Sequence, residues 1–127
     1  IVALRAGGAP RSALAGRVRL LSRAAPAYAR TPGAAAKVLL AAEAAGRDPR
    51  RLGGVDYVRR VSAGYRGGRY GASTFDQALS MLALRAAGRP VPRPAVRALL
   101  AARGGGGWGF ARTPRAADSV DATALAI

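Results

Sequence analysis

Two carboxylates three residues apart, Asp118 and Asp121, bracket Ser119 just before the apolar run Ala122 to Ile127. A paired carboxyl can serve as a general acid if its neighbours stabilise the anion it leaves behind. The same spacing also suits a plain helix start, in which Asp118 or Ser119 caps free N–H groups and Asp121 sits in the first turn, favoured by the helix dipole. A second set of chemically able residues is aromatic: Tyr70, Phe75, Trp108 and Phe110 are candidates to line a ligand pocket, or to pack turn against helix. The chain has no Cys and no His, which removes disulfides, Ser-His-Asp triads and imidazole acid–base work from the chemistry these 127 residues can supply. A metal site built from carboxylates and water alone is not expected, and no cofactor is implied. The glycines 104 to 107 lack the following Lys-Ser/Thr of a phosphate loop and sit in no βαβ pattern.

The elements that would position these groups are helical. Half of the residues are hydrophobic, half of those Ala, while β-branched runs and strict alternation are nearly absent, so an all-α fold is expected. Ile1 to Ala6 reads as the end of a helix stopped by Gly7-Gly8, and a helix opens at Pro10 and runs to about Ala24. Residues 25 to 30 read as a connector. Thr31-Pro32 is a strong start, with Thr as cap and Pro at the first helical position, for a helix to about Ala45. Val55, Val58 and Val61 predict a short helix to Ala63, and residues 65 to 71 a loop. Thr74 and Gln77 have capping-box spacing, so Thr74 is expected to cap the helix that ends at Gly88. A further helix is expected over 95 to 103, then a glycine-rich loop to 117, then a last helix start.

These elements recur. The segment Leu39-Leu40-Ala41-Ala42-Glu43-Ala44-Ala45-Gly46 matches Met81 to Gly88 at an offset of 42, and Ile1 to Gly8 at 38; Ala124 to Ile127 matches Ala78 to Met81 at 46. Tyr28, Tyr70 and Trp108 keep step at 42 and 38. Spacings near 40 residues suit a helix-pair repeat in which each unit buries its apolar face on its neighbours. We read a single domain of three units, about 1–38, 39–80 and 81–127. Ile1 and Ile127 fall at the same point of a unit, which predicts an excerpt of a longer array.

The turn Gly106-x-Trp108 and the following Ser119-Val120-Asp121-Ala122-Thr123-Ala124 carry a resemblance. Together they are similar to the QW turn and the DxDDTA acid motif of the α/α-toroid superfamily, which contains squalene–hopene cyclases, oxidosqualene cyclases and protein prenyltransferases. Within it the chain most resembles actinobacterial prenyltransferase/squalene-oxidase-repeat proteins, on Ser73 to Leu79 and on Asp-Ser-x-Asp-x-Thr-Ala-Leu-Ala. The resemblance implies a partial toroid of hairpins around a cavity and an extracellular or cell-envelope setting. In a class II cyclase, Asp121 would be the proton donor. Ser119 and Ala122 replace the flanking acids of that motif and Ala102 replaces the turn Gln, so the turn-to-helix staple is expected to be weakened. The expected function is therefore a non-catalytic toroid that binds a hydrophobic small molecule or a protein partner, with a class II terpenoid cyclase as the alternative.

The net charge is +15, and all but one of the 21 basic residues are Arg, a bias in keeping with GC-rich coding. Such a charge attracts anions, a membrane surface among them, but the arginines are spread with no block of five. Arg66-Gly67-Gly68-Arg69-Tyr70 has the look of an RGG element but occupies the turn position, where glycine is needed for geometry, so it is not taken as a nucleic-acid site. No apolar run reaches the length of a membrane span.

Overall fold

The computed structural model describes all 127 residues and is mostly helical. In chain order the elements are α1 (Val2–Ala6), a 3₁₀ turn (Arg11–Leu14), α2 (Ala15–Tyr28), α3 (Pro32–Ala44), α4 (Tyr57–Ala63), β1 (Tyr65–Arg66), β2 (Arg69–Tyr70), α5 (Thr74–Ala86), α6 (Arg93–Ala101) and α7 (Val120–Ala126). Alternate helices form a row: α3 packs on α1 and α5, and α5 packs on α3 and α7. The intervening α2, α4 and α6 lie against that row, α2 on α3, α4 on both α3 and α5, and α6 on α5. One apolar cluster spans α2 to α6, centred on Leu14, Val38, Leu39, Tyr57, Val61 and Leu84; a second, smaller one joins Leu99, Ala102, Trp108 and Ala122. Phe75 and Met81 touch both.

Alanine makes the close α3–α5 contact possible, because Ala35, Ala36, Ala42, Ala78 and Ala83 are all buried and add little bulk between backbones. The tightest point is Gly33, where a Cβ would lie 3.2 Å from Cα of Asp76 and run into its carboxylate. Two helices end alike. Gly46 and Gly88 take φ of +66° and +67°, and the next residue's N–H turns back to an orphan carbonyl: Arg47 to Ala42 at 2.9 Å and Arg89 to Leu84 at 2.8 Å. That closure fixes where Arg47 and Arg89 leave the helix ends.

Three sequence expectations need correction. The segment 25 to 30 is helical up to Tyr28 and contains Pro26. Pro26 has no N–H for the carbonyl of Ser22, and Gly53 (φ +60°) packs directly on that carbonyl from another loop, with no room for a Cβ. Residues 65 to 70 are a two-residue antiparallel ribbon, Tyr65 opposite Tyr70 and Arg66 opposite Arg69, rather than open loop. Thr74 does not cap α5. Ser73 does: its Oγ accepts from the N–H of Asp76 at 3.1 Å, and the Asp76 carboxylate accepts from the N–H of Ser73 at 3.2 Å. A carboxylate satisfies an orphan donor more strongly than a neutral amide does, so the box closes one residue earlier, on Asp76 rather than Gln77. Thr74 becomes the first helical residue, fully buried, with its hydroxyl unpaired.

The charge is sorted by row. Helices α1, α3, α5 and α7 carry Arg5, Lys37 and Arg85 against Glu43, Asp76 and Asp121, so their charges cancel. Helices α2, α4 and α6 carry Arg17, Arg19, Arg23, Arg59, Arg60, Arg93 and Arg97 and no acid. The ion pairs are confined to Asp48, with Arg50 and Arg51 each at 3.9 Å. No helix is long and apolar enough to cross a membrane.

Candidate functional site

The aromatic candidates divide between two roles. Phe75 and Phe110 come together with ring centroids 5.5 Å apart. Phe110 is brought there by the end of the glycine-rich loop, whose carbonyl at Phe110 accepts the N–H of Thr74 at 3.0 Å, next to a bridge between Ser73 and Ala111. Phe110 is 63% exposed and Tyr28 is 54% exposed, and both face one cleft of about 450 Å³ between the N-terminal ends of α3 and α5. Lys37, Asp76 and Leu79 complete its walls. Exposed aromatic faces over a cleft with one cation and one carboxylate are suited to a flat or apolar ligand with a small polar part. Tyr28 is a member of this site that sequence reasoning used only as a repeat marker.

Tyr70 and Trp108 do not line it. Both are buried, and each is built into a joint between a turn and the following helix. The Gln77 amide spans the first joint: Oε1 accepts the Tyr70 N–H at 2.8 Å, and Nε2 donates to the carbonyls of Gly68 at 3.1 Å and Ala95 at 2.9 Å. In the second joint the N–H of Trp108 donates to Thr123 Oγ1 at 2.9 Å, and the indole Nε1–H donates to the Leu99 carbonyl at 2.7 Å near the end of α6. Arg103 lies over the indole, 5.5 Å from its centroid. The turn, expected to be weakly held with Ala102 in place of a Gln, is tied to the helix ends by Trp108 itself and by Thr123. Burial, with a further push from Tyr65, raises the Tyr70 phenol above its usual range. Tyr57 is raised by burial too, against the pull of Arg60, and its hydroxyl has no partner.

The side-chain caps at the helix starts are Thr31, Asp56, Ser73 and Ser119. Thr31 Oγ1 accepts from Ala34 at 3.2 Å, and Ser119 Oγ from Ala122 at 3.3 Å. Asp118 does not cap α7; it pairs across to Gly109, and its carboxylate lies against Gly104 and Gly106. Asp121 stands in the first turn of α7 as an exposed side chain with no partner among the protein's hydrogen bonds or ion pairs. Arg112, in the loop near Asp76 and Arg69, has two buried guanidinium nitrogens without acceptors; burial and then Arg69 lower its pKa, while Asp76 opposes them.

Comparison with known proteins returns no match among protein-family models, curated proteins or solved structures.

Proposed function

We propose that the chain is part of an α/α-toroid-like array of helical hairpins that acts as a non-catalytic scaffold, holding a small apolar or aromatic ligand at the Tyr28–Phe75–Phe110 cleft. The repeat reading is supported by the caps Thr31, Ser73 and Ser119, which stand 42 and 46 residues apart, the same offsets as the alanine-rich segments. It is also supported by the joints, in which Gln77 and Thr123, 46 residues apart, hold successive turns to successive helices.

The observation that carries the non-catalytic reading is Asp121 in open solvent. A carboxyl that protonates an alkene must be held in a dry cavity beside groups that stabilise its anion. Asp121 is exposed and has no such groups. Two measurements test the proposal. Incubation with squalene, followed by mass spectrometry, is expected to return only the starting material from both the native chain and Asp121→Asn; a cyclised product that vanishes in Asp121→Asn defeats it. Titration with farnesol is expected to show binding that weakens about tenfold in Phe110→Ala, the loss of one aromatic contact of roughly 1.4 kcal/mol. Equal affinity in the two proteins would place the ligand elsewhere.

A further inference from the structure

The fold assembles a repeated basic cleft that is separate from the aromatic one. On one side of the 47–54 loop, Arg19, Arg47 and Arg51 border a cleft of about 380 Å³. On its other side, Arg50, Arg59 and Arg89 border one of about 370 Å³. The two are built from matching parts. Val-Arg-x-x-Ser occurs at 18–22 on α2 and at 58–62 on α4, 40 residues apart, and supplies Arg19 with Ser22 and Arg59 with Ser62. The Gly-Arg that closes α3 and α5 supplies Arg47 and Arg89, 42 residues apart. Arg50 and Arg51, adjacent in the chain, contribute one to each side.

The six guanidinium groups are exposed and lack any partner closer than the 3.9 Å contacts of Arg50 and Arg51 with Asp48. Each cleft also contains one carboxylate, Asp48 in the first and Asp56 in the second, whose Oδ1 accepts the N–H of Arg59 at 2.8 Å, so three arginines against one acid leave each cleft cationic. Nothing in the packing of the chain requires six exposed arginines around this loop, and four of them, Arg19, Arg47, Arg59 and Arg89, have no acid partner. The apolar side chains that border the clefts, Val18, Leu52 and Val58, are buried, so the strip offers nothing to insert among acyl chains. It also has no aromatic ring for stacking on bases.

We propose that this strip binds the phosphodiester backbone of duplex nucleic acid, without sequence preference, one hairpin's cleft after the next. Guanidinium forks match phosphate oxygens bidentately, and a duplex presents many phosphates to which matching clefts on successive hairpins can each bind. The site differs from the Arg66–Tyr70 turn, and it stands whether or not the aromatic cleft holds a ligand.

The test is binding of a fluorescein-labelled duplex of about 24 base pairs, followed by anisotropy between about 50 and 200 mM salt. With six phosphates neutralised, the log–log salt slope of the native chain is expected near about −5. Replacing Arg19, Arg47, Arg59 and Arg89 by Gln is expected to make it shallower by about 3 to 4 and to weaken binding at least about tenfold. A second variant with Arg17, Arg23, Arg85 and Arg97 changed to Gln loses the same net charge outside the clefts and is expected to lose less than half as much. Because all these side chains are exposed, circular dichroism and melting are expected to match the native chain, and the single variants Arg19→Gln, inside a cleft, and Arg23→Gln, outside both, repeat the comparison if either quadruple variant melts early. Equal losses in the two sets would mean that net charge alone is felt and would overturn the proposal. So would tighter binding to phosphatidylserine vesicles than to the duplex.

Discussion

Gln77 Oε1 accepts the backbone N–H of Tyr70 at 2.8 Å, from a position that is wholly buried. A neutral amide is placed where the chain turns from the ribbon into α5, and it answers the Tyr70 N–H and the Gly68 carbonyl while adding a second donor to the Ala95 carbonyl of α6. Thr123 does the same for Trp108 with a shorter side chain and a single hydroxyl.

Gln77→Leu keeps most of the volume but leaves the Tyr70 N–H and the Gly68 carbonyl unpaired in the interior, and takes the second donor from the Ala95 carbonyl. Each buried orphan costs about 1–3 kcal/mol, and with partial relaxation a loss of about 3 kcal/mol is expected, read as a lower denaturation midpoint in urea with unchanged slope. Gln77→Glu is expected to be worse, since it places a charge among those carbonyls.

Trp108 is the single tryptophan, so its emission reports on one joint. Burial predicts emission at shorter wavelength in the folded chain than in urea. Trp108→Phe keeps the ring but drops the bond to the Leu99 carbonyl, and is expected to cost about 1 to 2 kcal/mol by thermal or chemical melting.

Tyr57→Phe is expected to stabilise the chain by about 1 kcal/mol, because the deleted hydroxyl is buried without a partner. The same change bears on alkaline unfolding. A phenol raised in the folded state favours the neutral form there, so its contribution is intact below the unfolded value near 10 and is lost as pH rises through the folded one. Melting temperature is therefore expected to fall above about pH 10, and to fall less in Tyr57→Phe and Tyr70→Phe. A pH-independent melting temperature in that range would contradict this placement of the phenols.

Gly33→Ala sets two effects against each other. Helix propensity favours Ala by about 1 kcal/mol. The new methyl would collide with Asp76, whose carboxylate also closes the α5 capping box, and the collision is expected to win with a net loss of about 2 kcal/mol on melting.

The helix starts at Thr31 and Ser119 were legible because a hydroxyl next to a helix-forming run acts locally. Ser73 was missed because Ser73/Asp76 and Thr74/Gln77 satisfy the same spacing one residue apart. The stronger acceptor at Asp76 and the buried destination of Gln77 together decide between them. The pairing of Phe75 with Phe110 depends on a loop folding back over 35 residues, which no local pattern encodes. The arginine clefts were hidden for a related reason: their members lie between positions 19 and 89 and look dispersed along the chain. The signal that could have found them was the recurrence of Val-Arg-x-x-Ser at a unit's distance.

The sorting of charge has a consequence for how the molecule meets other bodies. A neutral row beside a cationic one is a permanent electric moment, and a moment feels torque at separations where no contact exists. Among the helices, a negatively charged body is therefore drawn to α2, α4 and α6 ahead of α1, α3, α5 and α7.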